Sequence, residues 1–238
     1  MIIDCISDMH GHYPELEGGD LLIVAGDCTA ADTLEQWDDF DAWLYRQPYK
    51  KKIFIAGNHD SGILDELPKK YMQGTRKIKS ERFEYLKDSG TEYEGLKIWG
   101  SPWTPWFKGV NPKCKAFMKK DKELKKTWDD IPTDTDILIT HGPPFGMLDG
   151  IPCDDGSYFY VGSKTLSNRI HQLSTYKLKL HVFGHIHEGY GQCHAAYQEI
   201  GTIDITKDNT IPIGHLSVNC SIVDERYKPI NKPIRVEL

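Results

Sequence analysis

The sequence predicts an α/β fold that is rich in β-sheet. Short apolar runs such as Met1 to Ile6 and Leu21 to Ala25 are typical of strands buried on both faces. Segments with helical spacing alternate with such runs in the first part of the chain, whereas β-like pieces dominate after Tyr197. The 238 residues suffice for one domain with a substantial core, so we expect a single domain over residues 1–238.

The first part of the chain contains three predicted strands and one predicted helix. The strands are Ile2 to Ser7, Leu21 to Ala25 and Ile53 to Ala56. The connection from Gly11 to Gly19 is too short for a long helix. Helical spacing of apolar residues occurs at Leu34, Trp37, Phe40 and Leu44. This spacing predicts an amphipathic helix that ends near Pro48.

The middle of the chain is less regular. The charged stretch Glu81 to Asp88 predicts no element, and Leu96 to Trp99 predicts a short strand. Residues 101–130 are aromatic, basic and proline-bearing, which predicts an excursion over the surface with a polar helix around Lys113 to Lys126. Asp136 to Thr140 then predicts a return to regular strand structure.

The last part of the chain begins with a predicted helix. Gly162 to Leu173 carries three apolar residues on one helical face, and Ser163 is a plausible N-cap. Leu178 to Phe183 predicts a strand that ends next to His185. Two β-like pieces follow, Glu199 to Ile205 and His215 to Val223, and then a proline-rich tail.

Composition excludes several classes of protein. The formal net charge is −6 and no broad basic face is apparent, so we expect no binding to duplex nucleic acid. The apolar stretches are all shorter than the roughly 20 residues of a transmembrane helix, so no membrane association is expected. Oligomeric state is not indicated.

The cysteines and the N-terminal sequence predict a cytoplasmic protein. The six cysteines are widely separated and form no C-x-x-C pair, which favours free thiols. Met1 leads directly into an apolar segment that Asp4 interrupts, without a basic n-region or a small-residue cleavage site. A signal peptide is therefore not expected.

The apolar runs repeatedly end on residues that bind metals. These residues are Asp8, His10, Asp27, Asn58, His59, His141, His185 and His187. Because α/β proteins assemble their sites beyond the carboxyl ends of their strands, we expect these side chains to converge on one rim. Two carboxylates and several imidazoles exceed the needs of one ion, so the pattern indicates a two-metal hydrolytic centre.

Five sequence blocks resemble the calcineurin-like metallophosphoesterase family. They are Asp8-Met9-His10, Gly26-Asp27, Gly57-Asn58-His59-Asp60, His141 and Gly184-His185-Ile186-His187, in that order. The segments 101–106, 141–144 and 180–191 are similar to the branch of the metallophosphoesterase-domain (MPPED) proteins. The resemblance implies a four-layer α/β/β/α sandwich with two mixed β-sheets.

The resemblance also implies a role for each site residue. Asp8, His10 and His187 would hold one divalent metal, Asn58, His141 and His185 the other, and Asp27 would bridge the two. His59 would be the proton donor to the leaving alkoxide. Such sites accept manganese, iron or zinc, so two ions of one of these metals are the expected cofactors. Asp60 either orients His59 and its loop or is an ordinary turn carboxylate.

The resemblance favours a phosphodiesterase. Serine/threonine protein phosphatases of the same superfamily carry an acidic residue and an arginine where this chain has Ala30 and Ala31. Loss of that cation penalises monoester dianions more than diesters. We expect hydrolysis of small diesters such as the 2′,3′- or 3′,5′-cyclic nucleotides cAMP and cGMP. The alternatives are a phosphomonoesterase, a single-strand nuclease and a non-catalytic metal-binding scaffold.

Trp103 and Trp106 leave two interpretations open. Their rings could form an aromatic wall for a base of a nucleotide substrate, because stacking would favour that contact. They could equally anchor the long loop in which they lie.

Overall fold

Two mixed β-sheets form the centre of the fold. The computed structural model describes residues 1–60, 83–107, 116–174, 177–196 and 214–238. Within these ranges the strands are β1 (Ile2–Ile6), β2 (Gly19–Ala25), β3 (Tyr49–Ile55), β4 (Phe83–Tyr85), β5 (Ser89–Tyr93), β6 (Leu96–Ser101), β7 (Thr104–Pro105), β8 (Met118–Lys119), β9 (Ile137–Thr140), β10 (Gly150–Pro152), β11 (Tyr158–Tyr160), β12 (Leu180–Phe183), β13 (Gly191–Ala196), β14 (Gly214–Asn219) and β15 (Ile234–Glu237). The helices are α1 (Leu34–Arg46), α2 (Asp121–Asp129) and α3 (Lys164–Ser174), and a 3₁₀ turn covers His187–Gly189.

Each sheet has parallel strands at its centre. The first sheet has the order β15-β1-β2-β3-β4, and only the pairing of β15 with β1 is antiparallel. The second sheet has the order β13-β14-β12-β9-β6-β5, with antiparallel pairs at both edges. Parallel strands within a sheet end at the same edge, and this places their following loops together.

The two sheets pack face to face through their apolar inner surfaces. Ile23 and Ile53 of the first sheet share one buried cluster with Ile139 and Val182 of the second. Alternate residues of the first sheet pack against α1, whereas Leu138 of the second sheet packs under α2 and α3. The result is an α/β/β/α sandwich, which confirms the predicted fold class.

At each end of helix α1, side-chain hydrogen bonds satisfy backbone groups. The hydroxyl of Thr33 accepts a hydrogen bond from the Gln36 amide at 3.3 Å and caps the N-terminus. At the other end the buried ammonium of Lys52 donates to the carbonyls of Leu44 (2.7 Å) and Tyr45 (3.0 Å). A cation at this end also complements the helix dipole. The predicted amphipathic helix is thus confirmed.

The prediction of a polar helix around Lys113 to Lys126 is wrong for residues 116–120. Residues 108–115 lie outside the described ranges, and the helix observed after them, α2, begins only at Asp121. The preceding residues pair with the aromatic loop instead, because the amides of Thr104 and Trp106 donate to the carbonyls of Phe117 (2.9 Å) and Lys119 (2.8 Å). At residues 117–119, hydrogen bonds to the aromatic loop therefore take the place of the predicted helix.

The C-terminal part contains more strand structure than predicted. The proline-rich tail includes β15, and the pair β10–β11 and strand β13 were not predicted. The predicted strand from His215 to Val223 ends at Asn219, whereas the predicted piece Glu199 to Ile205 lies outside the described residues. In the described part of the chain, no helix has both the length and the hydropathy that a membrane crossing requires.

Candidate metal centre

The predicted site residues meet at the edge where the parallel strands end. They lie in the loops that follow β1, β2, β3, β9 and β12. Three groups have ligand atoms within 4.8 Å of one another: Asp8, His10 and His187; His10, Asp27 and His59; and Asp27, His141 and His185. The eight residues that the sequence singles out therefore fall in one continuous cluster, with Asn58 joined through His141.

Asp27 occupies the middle of this cluster. Its Oδ2 atom lies 3.6 Å from His10 Nε2 and 3.4 Å from His141 Nε2, and these two histidines belong to different groups of the cluster. Its Oδ1 atom accepts a hydrogen bond from the His59 amide at 2.9 Å. A carboxylate with one oxygen between two groups of imidazoles is suited to bridge two cations.

His141 presents one nitrogen to the cluster. Its Nδ1 atom lies 3.0 Å from the Ala25 carbonyl, to which only an N–H can donate, so the neutral ring has its lone pair on Nε2. That Nε2 atom lies 2.9 Å from Asn58 Oδ1. A backbone carbonyl that selects the tautomer is a common support for a metal-binding histidine.

His187 is oriented in the same way. Its Nδ1 atom lies 2.9 Å from the carbonyl of Asp224, and its Nε2 atom lies 3.5 Å from Asp8 Oδ1. The Asp8 carboxylate accepts the Ser7 hydroxyl at 2.7 Å and the His185 amide at 2.9 and 3.1 Å. These bonds hold the carboxylate in place while its remaining lone pairs face the cluster.

His10 provides the test of whether the residues fit metal ions. Both of its ring nitrogens are buried and have no hydrogen-bond partner among the described residues. Burial of an unsatisfied polar atom is costly, and neutral imidazole is a common ligand of divalent cations. A cation held with Asp8 and His187 would satisfy one of these two nitrogens, so the residues present fit the metals that the sequence predicts.

The charges of the site are divided between carboxylates and histidines. Burial opposes a charge on His141 and His187, but the neighbouring Asp27 and Asp8 outweigh it and raise their pKa values to about 9 and about 8. Burial lowers the pKa of His10 to about 4 and that of His185 to about 3. Metal binding must therefore displace protons from His141 and His187, and affinity should rise with pH.

Two positions of the sequence blocks require glycine, because a carboxylate lies very close to the backbone at each. A Cβ atom on Gly57 would lie 2.2 Å from Asp27 Oδ1, and one on Gly184 would lie 2.1 Å from Asp8 Oδ2. Both distances are well inside van der Waals contact. The carboxylates of Asp27 and Asp8 thus rest against bare backbone, which explains why Gly precedes Asn58 and His185.

His59 lies beside the centre and is steered by backbone atoms. Its Nδ1 atom lies 3.2 Å from the Ala30 carbonyl, and its ring centroid lies 4.6 Å from that of His10. When Nδ1 donates to this carbonyl, the lone pair of the neutral ring lies on Nε2. The backbone carbonyl of Ala30 thus orients the His59 ring, whereas the side chain of Ala30 carries no charge.

Asp60 joins the loops that follow β2 and β3. Its buried carboxylate accepts the amides of Cys28 (3.0 Å), Thr29 (3.0 Å) and Gly57 (2.9 Å), together with the Thr29 hydroxyl (2.9 Å). Burial and the charge of Asp27 raise its pKa to about 7, against the effect of these bonds. Of the two predicted roles for Asp60, the geometry matches the one that orients the His59 loop.

Sequence reasoning missed the contribution of the segment from Asp224 to Lys228. The Asp224 carbonyl binds His187, and the Tyr227 ring lies against three site histidines. A carbonyl that acts from a loop leaves no side-chain pattern, so no signal in the sequence could have identified it. Ser7 could have been found, because it immediately precedes Asp8.

The two tryptophans differ in their surroundings. Trp103 donates to Asp88 at 2.8 Å, and the Lys119 ammonium lies 3.6 Å from the centroid of its ring. These contacts make Trp103 an anchor of its loop. Trp106 is 41% exposed, and its contacts do not decide between the two interpretations.

Comparison with known proteins agrees with this geometry. A family model described as Calcineurin-like phosphoesterase matches residues 1–189. Metallophosphoesterase domain-containing protein 1 of Homo sapiens is 36% identical, over 98% of this chain and 70% of that protein. UPF0046 protein C25E10.12 of Caenorhabditis elegans is 34% identical, over 79% of this chain and 69% of that protein.

One solved crystal structure has the same fold, with a TM-score of 0.60 over 92% of this chain and 89% of that chain. The two sequences are 14% identical, so this likeness supports the fold alone. The family match, together with the clusters of Asp and His, makes this protein a metal-dependent phosphoesterase. The chain belongs to the calcineurin-like phosphoesterase family, in the branch that includes Metallophosphoesterase domain-containing protein 1.

Proposed function

We propose that this chain is a metal-dependent phosphodiesterase that hydrolyses small diesters such as 2′,3′- and 3′,5′-cyclic nucleotides. One observation carries the proposal, namely the position of the Asp27 carboxylate between two groups of ligand atoms. In the proposed site Asp8, His10 and His187 would hold one ion, Asn58, His141 and His185 would hold the other, and Asp27 would serve both.

The proposed mechanism divides the chemistry between the cofactor and the chain. Two divalent cations, when bound, activate a water molecule and stabilise the negative charge of the phosphoryl oxygens. The carboxylates of Asp8 and Asp27 would compensate part of the positive charge of the two cations. His59 donates a proton from Nε2 to the departing alkoxide, while the Ala30 carbonyl holds its other nitrogen.

The proposed preference for diesters rests on the lack of a charged side chain at Ala30 and Ala31, in the loop after β2. Ala30 and Ala31 contribute backbone groups only, and their amides donate to the side chain of Gln36 at 3.1 and 2.8 Å. A diester carries one negative charge and needs less cationic compensation than a monoester dianion. Manganese, iron or zinc would suit the mixed histidine and carboxylate site.

The first experiment measures metal content and turnover of bis(4-nitrophenyl) phosphate on the same samples. Wild type and Asp27→Asn are compared, after chelation and after loading with manganese, and Asp134→Asn provides a matched control at an exposed carboxylate. We expect about two metal ions per wild-type chain. In Asp27→Asn metal content and turnover should fall together, whereas Asp134→Asn should retain both.

The second measurement identifies the ester class. Cyclic nucleotides, 4-nitrophenyl phosphate and a short single-stranded oligonucleotide are compared by kcat/KM. Faster hydrolysis of the monoester would replace our proposal with a phosphomonoesterase, and cleavage of the oligonucleotide alone with a nuclease. Absence of turnover on every ester, with metal bound after manganese loading, would indicate a non-catalytic metal-binding scaffold.

A further inference from the structure

The C-terminal loop places an aromatic ring over the metal centre. The centroid of the Tyr227 ring lies 4.8 Å from that of His10, 5.4 Å from that of His187 and 6.0 Å from that of His59. The residue as a whole is 42% exposed, so Tyr227 is accessible from solvent. Tyr227 therefore contacts the site histidines and is also accessible to a ligand.

The backbone of Tyr227 is held in an unfavourable conformation. Its φ angle is 61°, in the left-handed region, which costs a non-glycine residue about 1 kcal/mol. The loop is fixed by bonds from the amides of Arg226 and Lys228 to the Asp224 carboxylate at 2.9 and 2.8 Å. The Tyr227 carbonyl in turn lies 3.1 Å from His12 Nε2. Strain that is retained by such bonds is typical of a residue with a functional position.

We propose that Tyr227 determines substrate specificity, because its ring provides a stacking surface for a flat aromatic group on the leaving-group side of the phosphoester. The inference rests on the proposed phosphodiesterase function, in which His59 protonates the leaving group. A tyrosine next to His59 offers an apolar face to a base or an aryl ring, and stacking on such faces tolerates different bases. The enzyme would therefore prefer aryl and nucleoside esters to aliphatic ones.

The test compares two diesters whose leaving alcohols have similar acidity but differ in aromaticity. Methyl phenyl phosphate has an aromatic leaving group, and methyl hexafluoroisopropyl phosphate has an aliphatic one. Tyr227→Leu should lower kcat/KM for the phenyl ester by about tenfold, mainly through KM, because stacking contributes to binding. The fluoroalkyl ester should change by about twofold or less.

Tyr227→Phe is the matched control, because it keeps the ring and removes the hydroxyl. It should retain the rates of wild type on both esters. An equal loss on both esters in Tyr227→Leu would overturn the inference, as would a loss in Tyr227→Phe as large as that in Tyr227→Leu. The metal content of each variant shows whether the centre itself is intact.

A binding measurement separates this inference from the proposed activity. Isothermal titration compares phenyl phosphate with methyl phosphate on manganese-loaded protein. Wild type and Tyr227→Phe should bind phenyl phosphate more tightly, and Tyr227→Leu should bind the two ligands alike. This preference supports the inference even if no diester is hydrolysed, in which case only the proposed function fails. Equal affinities in wild type would overturn the inference.

Discussion

At the scale of single residues, the centre is built on strained backbone. The proposed ligands with a left-handed conformation are Asp8 (φ 53°), His10 (φ 44°), Asp27 (φ 49°) and His185 (φ 69°). Each costs about 1 kcal/mol relative to an ordinary conformation. Backbone bonds offset part of this cost, since the amides of Asp8 and His10 donate to the carbonyls of Gly26 (3.0 Å) and Asp27 (3.1 Å). These left-handed conformations direct the four side chains toward the metal centre.

The role of His59 yields a prediction at this scale. In His59→Ala, hydrolysis of 2′,3′-cyclic AMP, whose leaving group is a poor one, should slow by about 100-fold because the alkoxide must leave unprotonated. Hydrolysis of bis(4-nitrophenyl) phosphate should slow by about fivefold or less, since nitrophenolate leaves without a proton. Both rates are measured at saturating manganese, and metal content should match that of wild type.

His171→Ala is the control, because His171 lies exposed on α3. It should change neither rate. Equal slowing of both esters in His59→Ala would argue that His59 is not the proton donor, and loss of metal would indicate that it is a ligand, as its proximity to His10 and Asp27 would permit.

At the scale of elements, the C-terminal strand β15 closes the first sheet. The Arg235 guanidinium donates to both oxygens of the buried Asp4 carboxylate at 2.8 Å, and also to Glu17 (3.0 Å) and the Gly18 carbonyl (2.9 Å). The hydroxyl of Tyr49 donates to the same carboxylate. This bidentate pair links β15 to β1 and to the connection before β2.

Removal of this pair should weaken the edge of the sheet. In Arg235→Met the Asp4 carboxylate loses its cation, so the free energy of unfolding should fall and the backbone amides of β15 should exchange hydrogen about tenfold faster or more. Urea denaturation and hydrogen exchange measure the two effects. Lys97→Met is the control, because its pair with Asp134 is exposed and should contribute little. Similar effects of the two substitutions would contradict the prediction.

At the scale of the whole molecule, buried histidines outside the metal centre link stability to pH. His181 and His215 lie within the second sheet, where they contact the hydroxyls of Thr140 (2.8 Å) and Ser217 (3.0 Å). Burial holds the pKa of His181 well below its usual value and lowers that of His215 to about 4. Both rings are therefore neutral in the folded protein at neutral pH.

The sign of the pH dependence follows from these shifts. The unfolded chain binds protons with a histidine pKa of about 6.5, so between about pH 6.5 and 4 it binds more protons than the folded protein. The free energy of unfolding should fall as the pH drops through this range, by up to about 1.4 kcal/mol per pH unit for each histidine. His215→Gln should reduce this slope, as measured by urea denaturation of the metal-free protein.

His171→Gln is the control for this measurement, because His171 lies exposed on α3. It should leave the slope of wild type unchanged. An unchanged slope in His215→Gln would mean that His215 does not remain neutral in the folded protein.

The fold class and the identity of the candidate ligands could be predicted from the amino-acid sequence. Both depend on local order, because an apolar run forms a strand and the residues that follow it lie at the end of that strand. Asp8, Asp27 and His141 could be named for this reason without any knowledge of the fold. The resemblance of the ordered blocks then supplied the sandwich topology and the expected roles, and the chemical roles remain proposals.

The groups from distant parts of the chain that complete the centre became apparent from the packing of the fold. The Asp224 carbonyl that orients His187 and the Tyr227 ring beside His10 come from a loop far along the chain. Strand β15 likewise gains its place by pairing with β1 at the other end of the sequence. Such contacts arise from the packing of the two sheets, and carbonyl groups are common to all residues. No local pattern could therefore reveal them.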